Sequence, residues 1–285
     1  MTPFELVEPR TLREAAGLLA AADPTVRPMG GGTAVMLMMK MGVLRPTRLV
    51  SLRGVEKRYS EIIETNGELR FGATATLAAL ERSPAVKSRA PVIVRALRTL
   101  ANMRVRNVAT VGGHLAHADP HMDLPPVLIA LGASVSTLGP KGGRTIPLEN
   151  LYGGYLETTL ASGELIAEVN VPAQGSRRAA YLKCTTRSAD DWPALGVAVV
   201  LDAAGRQVRE ARIVISAATD VPTRLAAAEQ VLKGARIDDK ALGAAADAAV
   251  AEATVIADEH GSAAYKRELV RVYVARAIRA ALSEK

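Results

Sequence analysis

Two clusters of glycine constrain this chain more than any other part of its sequence. The first, Gly30 to Gly32, leads into an apolar run of helical character that begins at Ala34. The second is Gly112-Gly113, and a segment dense in histidine, aspartate and proline continues it to residue 124. Because glycine has no Cβ, backbone N–H groups in such runs can turn towards an anion and approach it closely. A helix starting at Ala34 would direct its N-terminal dipole at the same anion, so the clusters predict a two-loop clamp for a phosphorylated cofactor.

The commoner phosphate-binding motifs do not describe these clusters. No Gly-Lys-Ser or Gly-Lys-Thr follows Gly32, which argues against a nucleoside triphosphatase of the Walker type. Neither cluster has the spacing of the dinucleotide-binding fingerprint. A single glycine run is often no more than a tight turn. Two runs, one of them continued by clustered histidines and aspartates, favour a ligand site over a pair of turns.

The composition is that of a packed protein and argues against a nucleic-acid partner. The chain has 285 residues, of which 49% are hydrophobic and 23% charged, and this length predicts two or three domains. The net charge is +7, but the basic residues are scattered among acidic ones and aromatic residues make up only 3%. So few aromatic side chains argue against the base-stacking platforms of a nucleic-acid-binding surface. Mild basicity instead favours an anionic cofactor and partner subunits.

The sequence also predicts a cytoplasmic protein without a membrane span. No apolar stretch reaches the roughly 18 residues that a span requires, and the first residues lack the basic and apolar regions of a secretory signal. Cys184 is the single cysteine, which excludes an intrachain disulfide framework and a cysteine-ligated iron–sulfur cluster within this chain.

The predicted elements indicate the α+β class, with a change of organisation near residue 175. Before it, helices are mixed with strands. The predicted strands are 26–29, 47–52, 62–64, 68–72, 133–138, 144–146 and 164–171, and the predicted helices are 11–22, 91–101, 123–131 and a short one after Thr76. The polar segment 173–178 is the predicted domain boundary. Beyond it, three strands (180–185, 195–202, 208–217) precede three helices (225–233, 240–253, 262–283), as in an α+β module.

Histidine and aspartate side chains follow the second glycine cluster at spacings that raise the possibility of a metal site. The set comprises His114, His117, Asp119, His121 and Asp123. A proline between His117 and His121 interrupts any helix that would place both on one face, and no His-Glu-x-x-His pattern is present. A structural role, or one lining the cofactor, is therefore favoured over a metal.

Two further side chains have two possible roles each. Asp123 is either the N-cap of the helix 123–131 or an acceptor for a hydroxyl-rich ligand, and a carboxylate has enough lone pairs for both. Lys183 lies on a strand beside apolar neighbours and is either a surface charge or a contact to an anion. The spacing shows no Ser-His-Asp or Cys-His arrangement and no marked pair of carboxylates. The chain is thus predicted to hold a cofactor that performs the chemistry itself.

The segments 27–33 and 107–120 together resemble the FAD-binding medium subunit of molybdenum hydroxylases. They read Arg-Pro-Met-Gly-Gly-Gly-Thr and Asn-Val-Ala-Thr-Val-Gly-Gly-His-Leu-Ala-His-Ala-Asp-Pro. The resemblance covers nearly the whole chain, since Gly-Ser-Ala-Ala-Tyr-Lys-Arg at 261–267 matches the family's C-terminal domain. The family includes bacterial carbon monoxide dehydrogenases, xanthine dehydrogenases and related enzymes that oxidise N-heterocycles or aldehydes.

This resemblance implies a fold and a domain division. Residues 1–175 would form a two-lobed α+β FAD-binding domain of the vanillyl-alcohol-oxidase-like type, with lobes of about 1–58 and 59–175. Residues 176–285 would form a smaller α+β domain with a three-stranded sheet and helices.

The resemblance also implies the cofactor contacts. The FAD pyrophosphate would lie at Gly30 to Ala34 and at Thr110 to His114, Asp123 would lie at the ribityl or ribose hydroxyls, Ile166 would supply a backbone or apolar contact, and Lys183 would lie near the flavin. The full implied set is Met29, Gly30, Gly31, Gly32, Thr33, Ala34, Thr110, Gly112, Gly113, His114, Asp123, Ile166 and Lys183. The sequence departs from the family where Thr33 and Ala34 replace polar residues of the first loop and where His114 stands for the usual asparagine.

The function implied is that of an electron-transfer subunit of an oxidoreductase. Substrate would be hydroxylated at the molybdopterin centre of a large subunit, electrons would pass through iron–sulfur clusters of a small subunit, and FAD in this chain would deliver them to an acceptor. A dimer of such heterotrimers is expected. Two alternatives stay open: a non-catalytic assembly or nucleotide-sensing protein that keeps the fold, and a free-standing flavin oxidase, for which no substrate-side acid–base group is visible.

Overall fold

The first part of the chain forms a small parallel sheet with two helices. The computed structural model describes residues 3–284. Its opening elements are β1 (Glu5–Val7), α1 (Leu12–Leu18), β2 (Val26–Met29), α2 (Thr33–Lys40) and β3 (Arg48–Ser51), with the strands in the order β1-β3-β2. The hydroxyl of Thr11 accepts a hydrogen bond from the Glu14 N–H at 3.0 Å, which is the predicted cap of α1. The helix ends earlier than predicted, and Ala22 has left-handed backbone with φ 54°.

The second part is a five-stranded antiparallel sheet with helices packed on one face. The elements are β4 (Ile62–Thr65), β5 (Glu68–Gly72), α3 (Leu77–Arg82), α4 (Pro84–Arg89), α5 (Pro91–Arg98), α6 (Met103–Arg106), α7 (Val111–Ala116), α8 (Leu124–Ala130), β6 (Ser134–Leu138), β7 (Thr145–Pro147), β8 (Tyr152–Gly154), β9 (Glu157–Thr158) and β10 (Leu165–Val171). The sheet order is β4-β5-β10-β6-β7, while β8 and β9 pair separately. The predicted Asn66-Gly67 hairpin is confirmed, with φ of 54° and 85° at its two central residues.

The third part begins with a second antiparallel sheet. It contains β11 (Arg178–Cys184), β12 (Leu195–Ala204), β13 (Gln207–Ser216) and β14 (Thr223–Arg224) in that order, followed by α9 (Ala226–Leu232), α10 (Asp239–Glu252) and α11 (Ala263–Ser283). The sequence predicts three strands here, whereas the structure has four. The strand that the prediction misses is β14, which has two residues and is too short to produce a period-two pattern. The three predicted helices are confirmed within one or two residues.

Strand β12 holds the third part against the second. Its residues from Leu195 to Leu201 are all buried, because alternate side chains point to opposite faces and both faces are covered. Val199 and Leu201 pack in the core formed with α9, α10 and α11, whereas Ala198 and Val200 join the core around α5 and α8. The predicted α+β class is confirmed. Across residues 3–284, the structure contains no helix of the length and apolarity that crossing a membrane would require.

Candidate cofactor site

The predicted site residues converge on one large cleft. Its volume is about 840 Å³, near the upper end of the range typical of ligand pockets. The cleft is lined by the residues predicted from the two glycine clusters together with Asp123, Ile166 and Lys183. Met29 is the exception. It ends β2, and its sulfur would lie 3.2 Å from a Cβ placed on Gly32, so its side chain supports the turn from behind.

The first glycine cluster supplies the cleft with unused hydrogen-bond donors. It forms the turn from β2 into α2, and Gly32 at the N-cap has left-handed backbone with φ 79°. The N–H groups of Gly31, Gly32, Thr33 and Ala34 find no acceptor among residues 3–284. The first turn of α2 contains no acidic residue, so the positive end of its dipole is not neutralised. The first cluster therefore presents free N–H donors and the positive end of a helix dipole on the cleft wall.

Contacts within the protein also require glycine at several positions of the two clusters. A Cβ on Gly31 would lie 2.0 Å from the carbonyl oxygen of Val108, and one on Gly30 would lie 2.5 Å from Thr110 Oγ1. A Cβ on Gly112 would lie 2.6 Å from that of Ala73. Neither Gly31 nor Gly112 has positive φ. The packing of the two clusters and the β5–α3 connection on one another is by itself enough to require glycine at these positions.

The second cluster is not a loop of free donors but the beginning of helix α7. Thr110 is its N-cap and accepts a hydrogen bond from the Gly113 N–H at 3.2 Å. The N–H groups of Gly112 and His114 donate to Ala73 O at 2.7 Å and Thr110 O at 2.9 Å. The prediction that this cluster turns its N–H groups towards the ligand is therefore wrong for these residues. They line the cleft as a closely packed wall, in contact with the first cluster.

His114 brings an unpartnered ring nitrogen to this wall. The residue is 8% exposed, and within the described chain its Nε2 has no hydrogen-bond partner. Burial, together with the neighbouring His117, lowers the pKa of His114 to about 3, so the imidazole is neutral at physiological pH. A neutral imidazole has one donor and one acceptor, and this one lines the cleft with an unsatisfied position.

Asp123 does not cap helix α8. Although it precedes Leu124, its side chain accepts no bond from the helix N–H groups. Its two oxygens instead accept from Tyr181 OH at 2.6 Å and from Lys183 Nζ at 3.0 Å. Lys183 also donates to Thr99 O at 2.9 Å. The capping interpretation is wrong because two donors on β11, some sixty positions along the chain, hold the carboxylate away from the helix axis.

This ion pair is buried and couples two parts of the molecule. The side chains of Asp123 and Lys183 are 5% and 6% exposed. Burial raises the pKa of Asp123, while the charge of Lys183 and the hydrogen bonds from Tyr181 and Lys183 act in the opposite direction. The possibility that Lys183 is a surface charge is thereby excluded. Tyr181 and Thr99 complete the arrangement, and the sequence carries no local signal for either.

Other parts of the cleft come from segments that the sequence does not mark. The loop from Asp190 to Pro193 closes one end, with Trp192 on its rim 41% exposed. The segment 160–166 forms another side, and Ile166, 5% exposed, faces it beside a bulge of β10. Across residues 3–284, no cluster of histidine, cysteine, aspartate or glutamate has the arrangement of a metal site.

Comparison with known proteins identifies the family. Residues 2–174 match the family described as the FAD binding domain in molybdopterin dehydrogenase, and residues 180–281 match the CO dehydrogenase flavoprotein C-terminal domain. The chain belongs to this flavoprotein family. The resemblance seen in the sequence is confirmed, and so is the expected fold of an FAD-binding domain followed by a C-terminal domain. Its cofactor is FAD.

Relatives of this flavoprotein subunit match it along almost its entire length. It is 31% identical to the carbon monoxide dehydrogenase medium chain of Hydrogenophaga pseudoflava, over 98% of this chain and 96% of the relative. It is 32% identical to the nicotine 6-hydroxylase medium subunit of Paenarthrobacter nicotinovorans, over 95% of this chain and 94% of the relative. A structure of carbon monoxide dehydrogenase from Hydrogenophaga pseudoflava superimposes with a TM-score of 0.94 at 33% identity, covering 98% of this chain and 97% of that one.

The residues present in the cleft fit FAD. The unused N–H groups of the β2–α2 turn suit a pyrophosphate, and the orphaned His114 Nε2 offers a polar contact in an otherwise closed wall. The cleft also extends from these donors to Lys183 and Trp192, which gives room for a long ligand.

Proposed function

We propose that this flavoprotein subunit holds FAD in the cleft between its glycine clusters and its C-terminal sheet. The observation that carries the proposal is the run of unused N–H groups at the start of α2, inside a cleft of about 840 Å³. When bound, FAD accepts and gives up electrons one or two at a time, which is the chemistry that links an electron relay to an external acceptor.

Each wall of the cleft has a separate task in this proposal. Gly30 to Ala34 hold the pyrophosphate with backbone donors and the helix dipole. Thr110, Gly112 and Gly113 form the surface against which that turn is fixed, and His114 offers its neutral ring to a polar group of the cofactor. Ile166 excludes water by apolar contact.

Asp123 and Lys183 act mainly on each other. Because each is already hydrogen-bonded within the protein, their role in the proposal is to fix the α7–α8 segment and β11 on either side of the cleft. The remaining lone pairs of Asp123 and one remaining proton of Lys183 are the groups available to a ribityl hydroxyl or to the flavin.

The role of the α2 donors predicts the effect of removing one of them. Replacing Ala34 with proline deletes an N–H in the first helical turn, where proline is tolerated; α8 already has Pro125 and Pro126 in its first turn. We expect FAD binding to weaken by about 1.5–3 kcal/mol, roughly 10- to 150-fold in Kd, the range for a hydrogen bond to a charged group. Titration of the apoprotein with FAD, followed by fluorescence quenching, measures it.

The matched control places proline at the same position of a helix outside the cleft. Lys240 is exposed and is the second residue of α10, the position that Ala34 has in α2. Lys240→Pro should leave the Kd for FAD unchanged. An unchanged Kd in Ala34→Pro as well would contradict the assignment of the pyrophosphate to this helix.

The same proposal includes the partners that supply electrons. Cys184, the chain's one cysteine, is buried, so an iron–sulfur relay must be carried by another subunit. We assign the substrate chemistry to a molybdenum-binding large subunit and the relay to an iron–sulfur small subunit, in a dimer of heterotrimers within the cytoplasm. Support comes from relatives that are themselves named medium chain or medium subunit.

Affinity capture of the chain from its native host tests this assembly. We expect the chain to be captured with molybdenum, iron and flavin in the same particle, at a mass of two copies of each subunit. The isolated chain should bind FAD and hydroxylate no substrate. A captured chain that turned over an organic substrate without molybdenum or iron would instead support a free-standing oxidase, and one without flavin would support an assembly protein.

The division into domains is part of the proposal. We place an FAD-binding unit at 1–175, with lobes of about 1–58 and 59–175, and a C-terminal unit at 176–285. The first sheet ends at Ser51 and the second begins at Ile62, and β10 ends at Val171 before β11 begins at Arg178. The gaps between these strands support the proposed boundaries.

A further inference from the structure

His121 lies between two carboxylates that come from distant parts of the chain. Its Nδ1 is 2.9 Å from Asp119 Oδ1, and its Nε2 is 2.9 Å from Asp258 Oδ2. The imidazole is 11% exposed. A neutral imidazole has a single N–H and can donate to only one of two carboxylates. Two such contacts require both ring nitrogens to carry a proton, so this geometry describes an imidazolium.

The surrounding charges balance only when His121 is charged. Asp119 and Asp258 contribute two negative charges, and Lys266 contributes one positive charge through its contact with Asp258. Lys266 is fully buried and also donates to Ala217 O at 2.7 Å. A neutral His121 would leave one negative charge uncompensated in a mostly buried cluster, which is costly.

This cluster joins the wall of the cleft to the C-terminal part of the chain. His117, His121 and Met122 line the cleft from the turn between α7 and α8, whereas Asp258 and Lys266 flank the start of α11. The backbone of the same turn is held by the Ala217 N–H, which donates to Pro120 O at 2.8 Å. The turn is thus attached to the C-terminal part through backbone and charge together.

We propose that protonated His121 is a positioning residue, a cationic clasp that fastens the α7–α8 turn of the cleft wall to the C-terminal domain and releases it on deprotonation. The charge clasp stands on the geometry alone. Only the position of the clasp beside bound flavin rests on the proposed cofactor site.

Further groups face this cluster from the neighbouring elements. The ring of His260 lies 5.0 Å from that of His121, and Trp192 meets it edge-on at 5.9 Å. Glu259 lies 3.7 Å from His260 but is 87% exposed. Burial, and then the charges of nearby carboxylates that include Asp119 and Asp258, raise the pKa of Tyr155. The hydrogen bonds from His121, and then the nearby His117, lower the pKa of Asp119. In the described chain these groups add no fixed charge that could replace the imidazolium.

The direction of the pH effect follows from the carboxylates. Burial by itself would lower the pKa of His121, but the hydrogen bonds and charges of Asp119 and Asp258 outweigh it and raise that pKa above 6.5. A raised pKa in the folded state means that the stabilisation is fully present below the unfolded pKa of about 6.5. It is lost as the pH rises through the folded-state value.

The test compares thermal unfolding of the purified chain across pH in three variants. Relative to the wild type, H121Q should lower the Tm at pH 6 by about 5 °C, and the difference should decrease steadily as the pH is raised to 9. H121R carries a permanent charge, so its Tm should equal that of the wild type at pH 6 and exceed that of the wild type at pH 9. H260Q removes the neighbouring ring and leaves both ion pairs of His121 in place. It is the matched control and should preserve the wild-type pH dependence.

The single tryptophan supplies a second readout at the cluster itself. A protonated imidazole quenches indole fluorescence, so Trp192 emission should rise as His121 deprotonates. This transition should persist in H260Q and vanish in H121Q. A transition that survives in H121Q, or a Tm difference between wild type and H121Q that does not change with pH, would overturn the clasp.

Flavin absorbance in the same samples distinguishes failure of the clasp from failure of the proposed cofactor site. A flavin-free chain that still shows the Trp192 transition contradicts only the cofactor site.

Discussion

Gly31→Ala is expected to abolish FAD retention and to destabilise the fold around the cleft. The new Cβ would lie 2.0 Å from Val108 O and 2.8 Å from the Ala109 Cα, and backbone atoms cannot rotate aside as a side chain can. Overpacking of this kind costs about 1–3 kcal/mol or more. Relief of the clash requires the β2–α2 turn to move away from α7, which displaces the N–H groups proposed to hold the pyrophosphate. The flavin-to-protein absorbance ratio and the thermal midpoint measure both effects.

A second glycine provides the control for this substitution. Gly17 lies inside α1 without positive φ, and apart from its chain neighbours and the backbone of its own helix, no atom lies within 4 Å of the position of its missing Cβ. Gly17→Ala should keep the full flavin content and stabilise the chain by up to about 1 kcal/mol, the difference in helix propensity. If Gly31→Ala behaved like Gly17→Ala, the close packing of the two clusters would not be what requires glycine at this position.

Lys183→Met is expected to lower the free energy of unfolding by about 3–5 kcal/mol. The substitution keeps the length of the side chain but leaves Asp123 buried without its counter-charge, and breaking one side of a buried ion pair has this cost. The double variant Asp123→Asn with Lys183→Met removes both charges while the amide oxygen can still accept from Tyr181, so it should recover most of the loss. Chemical denaturation, followed by circular dichroism, gives the free energy of unfolding of the wild type, the single variant and the double variant.

An exposed ion pair of the same sheet calibrates the experiment. Arg209 pairs with Asp202 at 2.8 Å, with side chains 62% and 32% exposed. Arg209→Met should change stability by less than about 1 kcal/mol, as for other surface pairs. Equal effects of Lys183→Met and Arg209→Met would show that the Asp123–Lys183 contact is not maintained as a buried pair.

Local signals in the sequence are sufficient to predict most of the elements and to indicate that the two glycine clusters line one cleft. The capping residue Thr11, the Asn66-Gly67 turn and the long helix α11 each depend on a few neighbouring residues, and all are confirmed. The glycine clusters correctly indicated one cleft, because a β-strand that ends in glycines before a helix is a local arrangement with a direct structural meaning.

What the sequence could not supply was the pairing of distant groups. Gly112 lies in a helix that its low propensity opposes, and the distant Ala73 O accepts its N–H group. Asp123 turns from its helix to donors on β11, and His121 finds its second carboxylate at Asp258. Each of these outcomes was decided by tertiary contacts, on which local pattern and spacing carry no information.

Residues on both sides of position 175 line the cleft, and this limits how the halves of such proteins can be exchanged. Lys183 and the 190–193 loop belong to the later half of the chain, yet they line the same cleft as Gly30 to Ala34. An exchange of either half for that of a relative about 30% identical would replace one side of the Asp123–β11 junction and one side of the His121–Asp258 junction with the relative's own residues. In chimeras, therefore, the two halves have to be transferred as a matched set, with the residues of these two junctions carried over together.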